Sequence, residues 1–193
     1  METVPVDSKN VYYPPGGILM WIIIFLELFT FGMALVAMVY YGSLERELFH
    51  ESRLLLNASY GAVNTVFLLT SGFFMAKSVM ELKRNHIEKS IRYLWATMFL
   101  GCCFLVLKGL EYSLKMEAGL DMNYNLFFTF YWALTFFHVI HVLVGLFILG
   151  ITTYNLKKNP EGVELIDVEA GAAFWHMCDL IWLLLFPIIY LIF

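Results

Sequence analysis

The sequence predicts an all-α fold: a polytopic membrane protein built as a bundle of five transmembrane helices. Three observations carry that expectation. The 193 residues are 61% hydrophobic and 15% charged, where ordinary soluble domains carry about 25% charged residues. Mean hydropathy is +0.74, which fits lipid as the solvent. Five separate runs, at about 17–41, 54–77, 91–113, 126–154 and 170–193, are each long enough to cross a hydrocarbon core, which takes roughly 20 apolar residues. The chain from 1 to 193 is therefore read as a single membrane domain.

Taken in order, residues 1–16 lack the basic region and cleavage site of a signal peptide and read as a short interfacial tail. "PPGG" breaks the chain before the first helix. The first span, "WIIIFLELFTFG", carries Glu27 alone among apolar neighbours. The second, "LLNASYGAVNTVFLLTSG", carries Asn57, Asn64, Thr65, Thr70 and Ser71. The third ends in "LKGLEYSL", with Lys108 and Glu111. The fourth is the longest, about 42 Å at about 1.5 Å per residue, so it is expected to tilt or protrude. It holds His138 and His141 in "TFFHVIHVLVG". The fifth, "AAFWHMCDLIWLLLFP", holds His176 and Asp179 three apart, and the last helix is expected to stop at the membrane surface.

Basic residues are unevenly shared between the two sides. One side takes Lys9, then Lys77, Lys83, Arg84, Lys89 and Arg92, then Lys157 and Lys158; the other takes Arg46, Arg53, Lys108 and Lys115. The positive-inside rule puts the N-terminus in the cytoplasm and the C-terminus outside. Aromatic belts are expected at Tyr12, Tyr13, Trp21, Tyr93, Trp95 and Tyr154 inside, and at Tyr40, Tyr41, Tyr112, Tyr124 and Tyr190 outside. The net charge of −4 leaves no basic face to neutralise phosphates, which excludes nucleic acid as a partner. Cys102, Cys103 and Cys178 lie in apolar runs without a CxxC and read as packing residues. No internal repeat is visible, which argues against an inverted-repeat transporter.

The informative positions are the polar groups inside the spans. A charge at mid-bilayer costs about 2.5–3.5 kcal/mol on insertion scales, so such groups turn to the bundle interior and pair. His138 and His141 share one helix face, a spacing that haem and metal sites use. The chain has five histidines, with His50 and His86 in loops, too few for a catalytic centre of two haems and a copper. Three intramembrane histidines allow at most one bis-imidazole haem, and neither H-E-x-x-H nor CxxC supports zinc. The reading adopted is an interhelical hydrogen-bond network, with one haem or another metal as the alternatives. Counting depth from the span ends brings Glu27, His138, His141, His176 and Asp179 to similar levels, so a cluster joining spans one, four and five is expected. Lys108 and Glu111 fall outside it, near the outer surface. Glu27 can persist only if protonated or hydrogen-bonded, as a helix contact or at a lipid, proton or subunit contact. The loop "KSVMELKRNHIEKSIRY" sets topology or binds anionic headgroups, and His86 in it reads as solvated.

In order along the chain, "FLELFTFG", "LLLNASYGAVNTVFLLTSG", "GLEYSL", "TFFHVIHVLVG" and "EAGAAFWHMCDLIWLLLFPIIY" resemble subunit III of the haem–copper oxidases, most closely the cytochrome c oxidases in their five-helix bacterial form. The resemblance runs from about residue 17 to the C-terminus. It implies an accessory subunit with no haem, copper or zinc of its own, the haem and copper residing in partner subunits. It further implies packing against catalytic subunit I, with subunit II in the same complex, phospholipid binding, and a place in the bacterial inner membrane, with a respiratory supercomplex as a further possible setting. Such subunits sustain proton uptake from the inner side, protect the catalytic centre from turnover-linked inactivation, and have been proposed to guide oxygen inward. Glu27 corresponds to the family's buried glutamate that reacts with carbodiimide, and Glu111, His138, His141, His176 and Asp179 match its other polar positions. With Asn64, these residues form the expected lipid-contacting or structural polar network; no catalytic or metal-binding residue is expected. Longer members have seven helices and hold lipids in a cleft beside the first two. Those two are absent from this sequence, so another subunit would have to supply that wall. Five-helix members accompany cytochrome c oxidases and quinol oxidases alike, and relatives of nitric oxide reductases share the pattern. Two other classes compete: a haem-b anchor exchanging electrons with quinone, and an independent transporter using Glu27 and Asp179 as proton carriers.

Overall fold

Capping chemistry decides where the helices begin. Asn57 precedes α3 (Ala58–Lys83) and its side chain accepts from the Ser59 amide at 3.0 Å; Asn125 precedes α5 (Leu126–Lys158) and accepts from the Phe128 amide at 2.9 Å. Each satisfies one of the orphan donors that every helix start exposes. Asn57 is therefore a cap and not one of the polar groups hidden inside the second span. The remaining elements are α1 (Ile18–Leu44), α2 (Arg46–Leu54), α4 (Ile87–Glu117) and α6 (Leu165–Tyr190), with a single 3-10 turn at Pro160–Gly162. This computed structural model describes residue 14 and residues 16–193. The expected interfacial tail, with Lys9, Tyr12 and Tyr13, lies almost wholly outside them. No strand occurs among the described residues. Among the described residues five helices, α1 and α3 to α6, are long and apolar enough to cross a membrane, and the chain is a multi-pass membrane protein. The short α2, "RELFHESRL", is charged on one side and turns Phe49 and Ser52 inward. It begins immediately after α1, where Glu45 leaves helical geometry.

Helices α3, α4, α5 and α6 form a ring in which each packs on two neighbours, α3 on α4 and α6, and α5 on α4 and α6; α1 lies outside the ring against α6 and α5. In lipid no hydrophobic force drives helices together, so small residues and polar side chains carry the contacts. The α3–α4 seam shows both devices. Ser78 donates to the Ser90 carbonyl at 3.0 Å, and Ser71 donates to the Thr97 carbonyl at 3.0 Å. Thr97 donates back to the Ser71 carbonyl at 3.3 Å, and the Trp175 indole of α6 donates to the Ser71 hydroxyl at 3.0 Å. The Trp175 ring in turn lies against Gly101 of α4 and Gly145 of α5, and a Cβ on either glycine would fall within 3 Å of it. By contrast α1 presents Leu19, Phe25, Leu26, Phe29 and Val36 outward, as expected where the surroundings are hydrocarbon.

Candidate functional site

The polar groups sort into four places. The first lies toward the end of the bundle where α4 turns into α5. Lys108 and Glu111, one helical turn apart on α4, are 1% and 2% exposed and form an ion pair at 2.8 Å. A lysine ammonium has three N–H donors, and Lys108 uses all of them: on Glu111 Oε2, on the Tyr131 hydroxyl at 3.2 Å and on the Tyr190 hydroxyl at 2.8 Å. Tyr190 donates its own proton to Glu111 Oε1 at 2.7 Å. The ammonium also lies about 5 Å from the ring centres of Tyr112, Tyr131, Trp182 and Tyr190. Two charges are thus buried together with every strong donor and acceptor engaged, the condition under which such a pair is tolerated. The knot joins α4, α5 and α6, and Arg53 of α2 extends it by donating to the Tyr190 carbonyl at 3.0 Å. One expectation changes here: Tyr190 is buried at the knot and not an interface anchor, because its hydroxyl completes the Glu111 carboxylate.

The second place joins α1 to α5. His141 Nε2 lies 3.2 Å from Glu27 Oε2, so Glu27 is not alone. His141 Nδ1 is 2.8 Å from the Phe137 carbonyl oxygen. A carbonyl only accepts, so Nδ1 carries a hydrogen and Nε2 is left to face Glu27. Phe31 and Phe137 stand edge-on to the imidazole, with ring centres 5.6 and 4.6 Å away. The pair sits at the rim: the Glu27 side chain is 27% exposed.

The third place is on α6, where His176 Nδ1 and Asp179 Oδ2 are 3.6 Å apart, too long for a direct hydrogen bond. Asp179 Oδ2 presses against Gly72 of α3, where a Cβ would fall almost on top of it, while Oδ1 is buried without a partner among the described residues. The His176 side chain is 44% exposed. Fourth, His138 and Asn64 are fully buried, and neither ring nitrogen nor either amide atom has a partner among the described residues. The cluster expected to join spans one, four and five therefore resolves into the Glu27–His141 contact alone. His138 turns toward Phe104 and Trp182, and His176 with Asp179 lies beside α3.

The loop at the opposite end carries its own ion pairs. Glu81 takes His86 at 2.8 Å, Arg84 at 3.3 Å and Lys89 at 4.0 Å, and Lys83 reaches Glu169 of α6 at 2.7 Å. His86 is half-exposed and bonded to Glu81, not merely solvated. Among the described residues, no group of three or more histidine, cysteine or acidic side chains is arranged to hold a metal ion.

This polar pattern is distributed along a match that covers nearly the whole chain. Residues 18–192, from the first turn of α1 to just past α6, match the family described as cytochrome c oxidase subunit III. The chain belongs to that family. A heme-copper oxidase subunit I+III of Aeropyrum pernix is 28% identical over 183 residues, covering 90% of this chain and 22% of that protein. A cytochrome c oxidase subunit 3 of Thermostichus vulcanus is 28% identical over 138 residues, 67% of this chain and 64% of that protein. A cytochrome bo(3) ubiquinol oxidase subunit 3 of Buchnera aphidicola subsp. Schizaphis graminum is 29% identical over 138 residues, 71% of this chain and 73% of that protein. The chain thus spans less than two thirds of the length of the first two relatives.

In this family member the buried ion pair makes a sharp stability prediction. Lys108→Met leaves the Glu111 carboxylate buried without its cation, a loss of about 3–5 kcal/mol. The double variant Lys108→Met, Glu111→Leu removes both charges and should recover most of that loss. Thermal denaturation of the purified chain in detergent measures it. Equal losses in single and double variants would show that the pair contributes packing and not charge compensation.

Proposed function

We propose that this chain is the accessory subunit III of a haem–copper terminal oxidase, most directly a cytochrome c oxidase, and that it carries no redox centre or catalytic residue of its own. The observation that carries the reading is the family match across all five long helices. The histidine chemistry supports it: His141 is committed on both nitrogens, and His138, inside the four-helix ring, faces aromatic rings. Oxygen reduction and proton pumping then belong to catalytic subunit I, with subunit II beside it. The Aeropyrum relative, named as subunit I+III, supports that partnership. A quinol oxidase is the second reading for the electron donor, favoured by the bo(3) ubiquinol oxidase relative, of whose length the match covers 73%.

In this reading the chain is one membrane domain of the bacterial inner membrane, with its N-terminus cytoplasmic and its C-terminus outside. Burial of Lys108 strengthens the charge argument, since it removes one of the four basic residues on the outer side. The exposed apolar face of α1 meets phospholipid or the catalytic subunit, and Glu27 at its rim stabilises that face through His141. Glu111, Asn64, His138, His176 and Asp179 act as structural polar groups at separate places in the bundle. Membership of a respiratory supercomplex is compatible with the same surfaces.

Two experiments test this proposal. Glu27→Gln retains a donor for His141 Nε2, whereas Glu27→Ala leaves that nitrogen unpaired, a cost of about 1–3 kcal/mol at the α1–α5 contact. Oxidase activity of the Gln variant should match the wild type throughout; the Ala variant should start at the same rate and inactivate faster during sustained turnover. If Gln is as harmful as Ala, Glu27 carries a proton and the structural role is wrong. Orientation is read with single cysteines at Asn123 and Glu161, placed in chains whose own three cysteines are replaced. An impermeant maleimide should label the Asn123 site in intact cells and the Glu161 site only after permeabilisation; the reverse order inverts the topology.

A further inference from the structure

The centre of the four-helix ring holds an arrangement that the accessory role does not explain. Ser71 pairs with Thr97 and Ser78 with Ser90 along the antiparallel α3–α4 seam. Continuing that register seven residues brings Asn64 level with Phe104. Phe104 is in ring contact with His138 of α5, centres 5.6 Å apart, and with Trp182 of α6, centres 5.0 Å apart. The Trp182 indole donates at 3.0 Å to Thr65, the residue next to Asn64. One layer at the heart of the bundle therefore takes one side chain from each helix: Asn64, Phe104, His138 and Trp182. Two of the four are polar and fully buried, and all four of their side-chain nitrogen and oxygen atoms lack a partner among the described residues.

Buried polar groups in a membrane bundle carry a large penalty unless they are satisfied. The neighbours cannot satisfy these. Trp182 has spent its only N–H on Thr65, and Thr65 has spent its hydroxyl hydrogen on the Gly61 carbonyl. The Lys108 ammonium, 5.4 Å from the Trp182 ring centre, has spent all three of its hydrogens. Asn64 and His138 belong to α3 and α5, opposite members of the ring, with Phe104 and Trp182 touching across the other diagonal. Neutral imidazole offers one donor and one acceptor, and the Asn amide offers two donors and a carbonyl acceptor. A ligand for this layer must therefore be small and must both donate and accept. Buried water has the required chemistry, a small molecule that donates and accepts and takes two to four polar partners.

We infer that this layer binds internal water, with His138 and Asn64 as its protein partners. The inference rests on the bundle itself and stands or falls independently of which complex the chain serves. Such water would make the core of the bundle a hydrated spot between the Lys108–Glu111 knot and the Glu27–His141 contact.

The test is a map of the protein purified from native membranes with its natural companions, at a resolution where buried waters are visible. The expected result is an ordered peak within hydrogen-bond distance of a His138 ring nitrogen and another, or the same one, at the Asn64 amide. Absence of a peak at either side chain, while other buried waters are resolved, overturns the assignment, and so does a direct bond between the two side chains. A second measurement does not depend on folding of a variant. Infrared spectra should contain a buried-water O–H band that shifts when the sample is exchanged into H2 18O; no such band overturns the inference. In His138→Phe, wherever it assembles, that band should be lost or moved, and an unchanged band again argues against His138 as a partner.

Discussion

The Lys108–Glu111 pair is the constraint around which this bundle is organised. Two opposite charges buried among helices in lipid are stable only if every hydrogen finds an acceptor, and that requirement dictates the positions of three other elements. Tyr131 must bring α5 to within 3.2 Å of the ammonium, and Tyr190 must bring the last turn of α6 within reach of both members of the pair. Because Tyr190 is held, its carbonyl is available to Arg53, which draws α2 onto the same end. Asn125 strengthens the closure by capping α5 and donating to Ser52 of α2. The α4–α5 end of the molecule is therefore locked by charge-assisted hydrogen bonds, the stronger class.

The rest of the molecule is held differently, and the contrast bears on function. Serine and threonine hydroxyls and glycine-lined gaps zip α3 to α4 and seat Trp175. Helix α1 relies less on these devices, with Gly42 against the Phe193 ring just past α6. It joins the ring through apolar packing and a rim contact between Glu27 and His141, and it leaves a long hydrocarbon face outside. A helix so exposed is suited to meeting lipid or another subunit, and Glu27 lies where such a neighbour would be felt. That placement separates the glutamate from the inner network and makes it the intramembrane carboxylate nearest a potential partner surface on α1.

Much of this was legible in the sequence because the solvent writes the pattern: long apolar runs specify spanning helices whatever their partners. Helix number and fold class follow from that, and the resemblance carried by "FLELFTFG" through "FWHMCDLIW" follows from motif order. Pairing was harder to read. Glu27 and His141 are 114 positions apart on different helices, and no local spacing connects them. Lys108 and Glu111 stand one turn apart in "LKGLEYSL", a readable signal, yet nothing in that spacing names Tyr131 and Tyr190 as the partners that complete their hydrogen bonds. Tyr190 was misread for a related reason: a tyrosine at a span end fits an interface belt unless a buried carboxylate lies opposite. Asn57 shows a fourth kind of limit, since an apolar run does not reveal the cap inside it.

The central claim is that this chain is a redox-silent member of a larger haem–copper complex. Mass spectrometry of the intact assembly, isolated from native membranes through a tag on this chain, tests it most directly. The account predicts a stoichiometric complex with a catalytic subunit that bears all the haem, and no visible haem spectrum in this chain once it is separated from that subunit. A chain that purifies alone and active, or that keeps stoichiometric haem after separation, would contradict it.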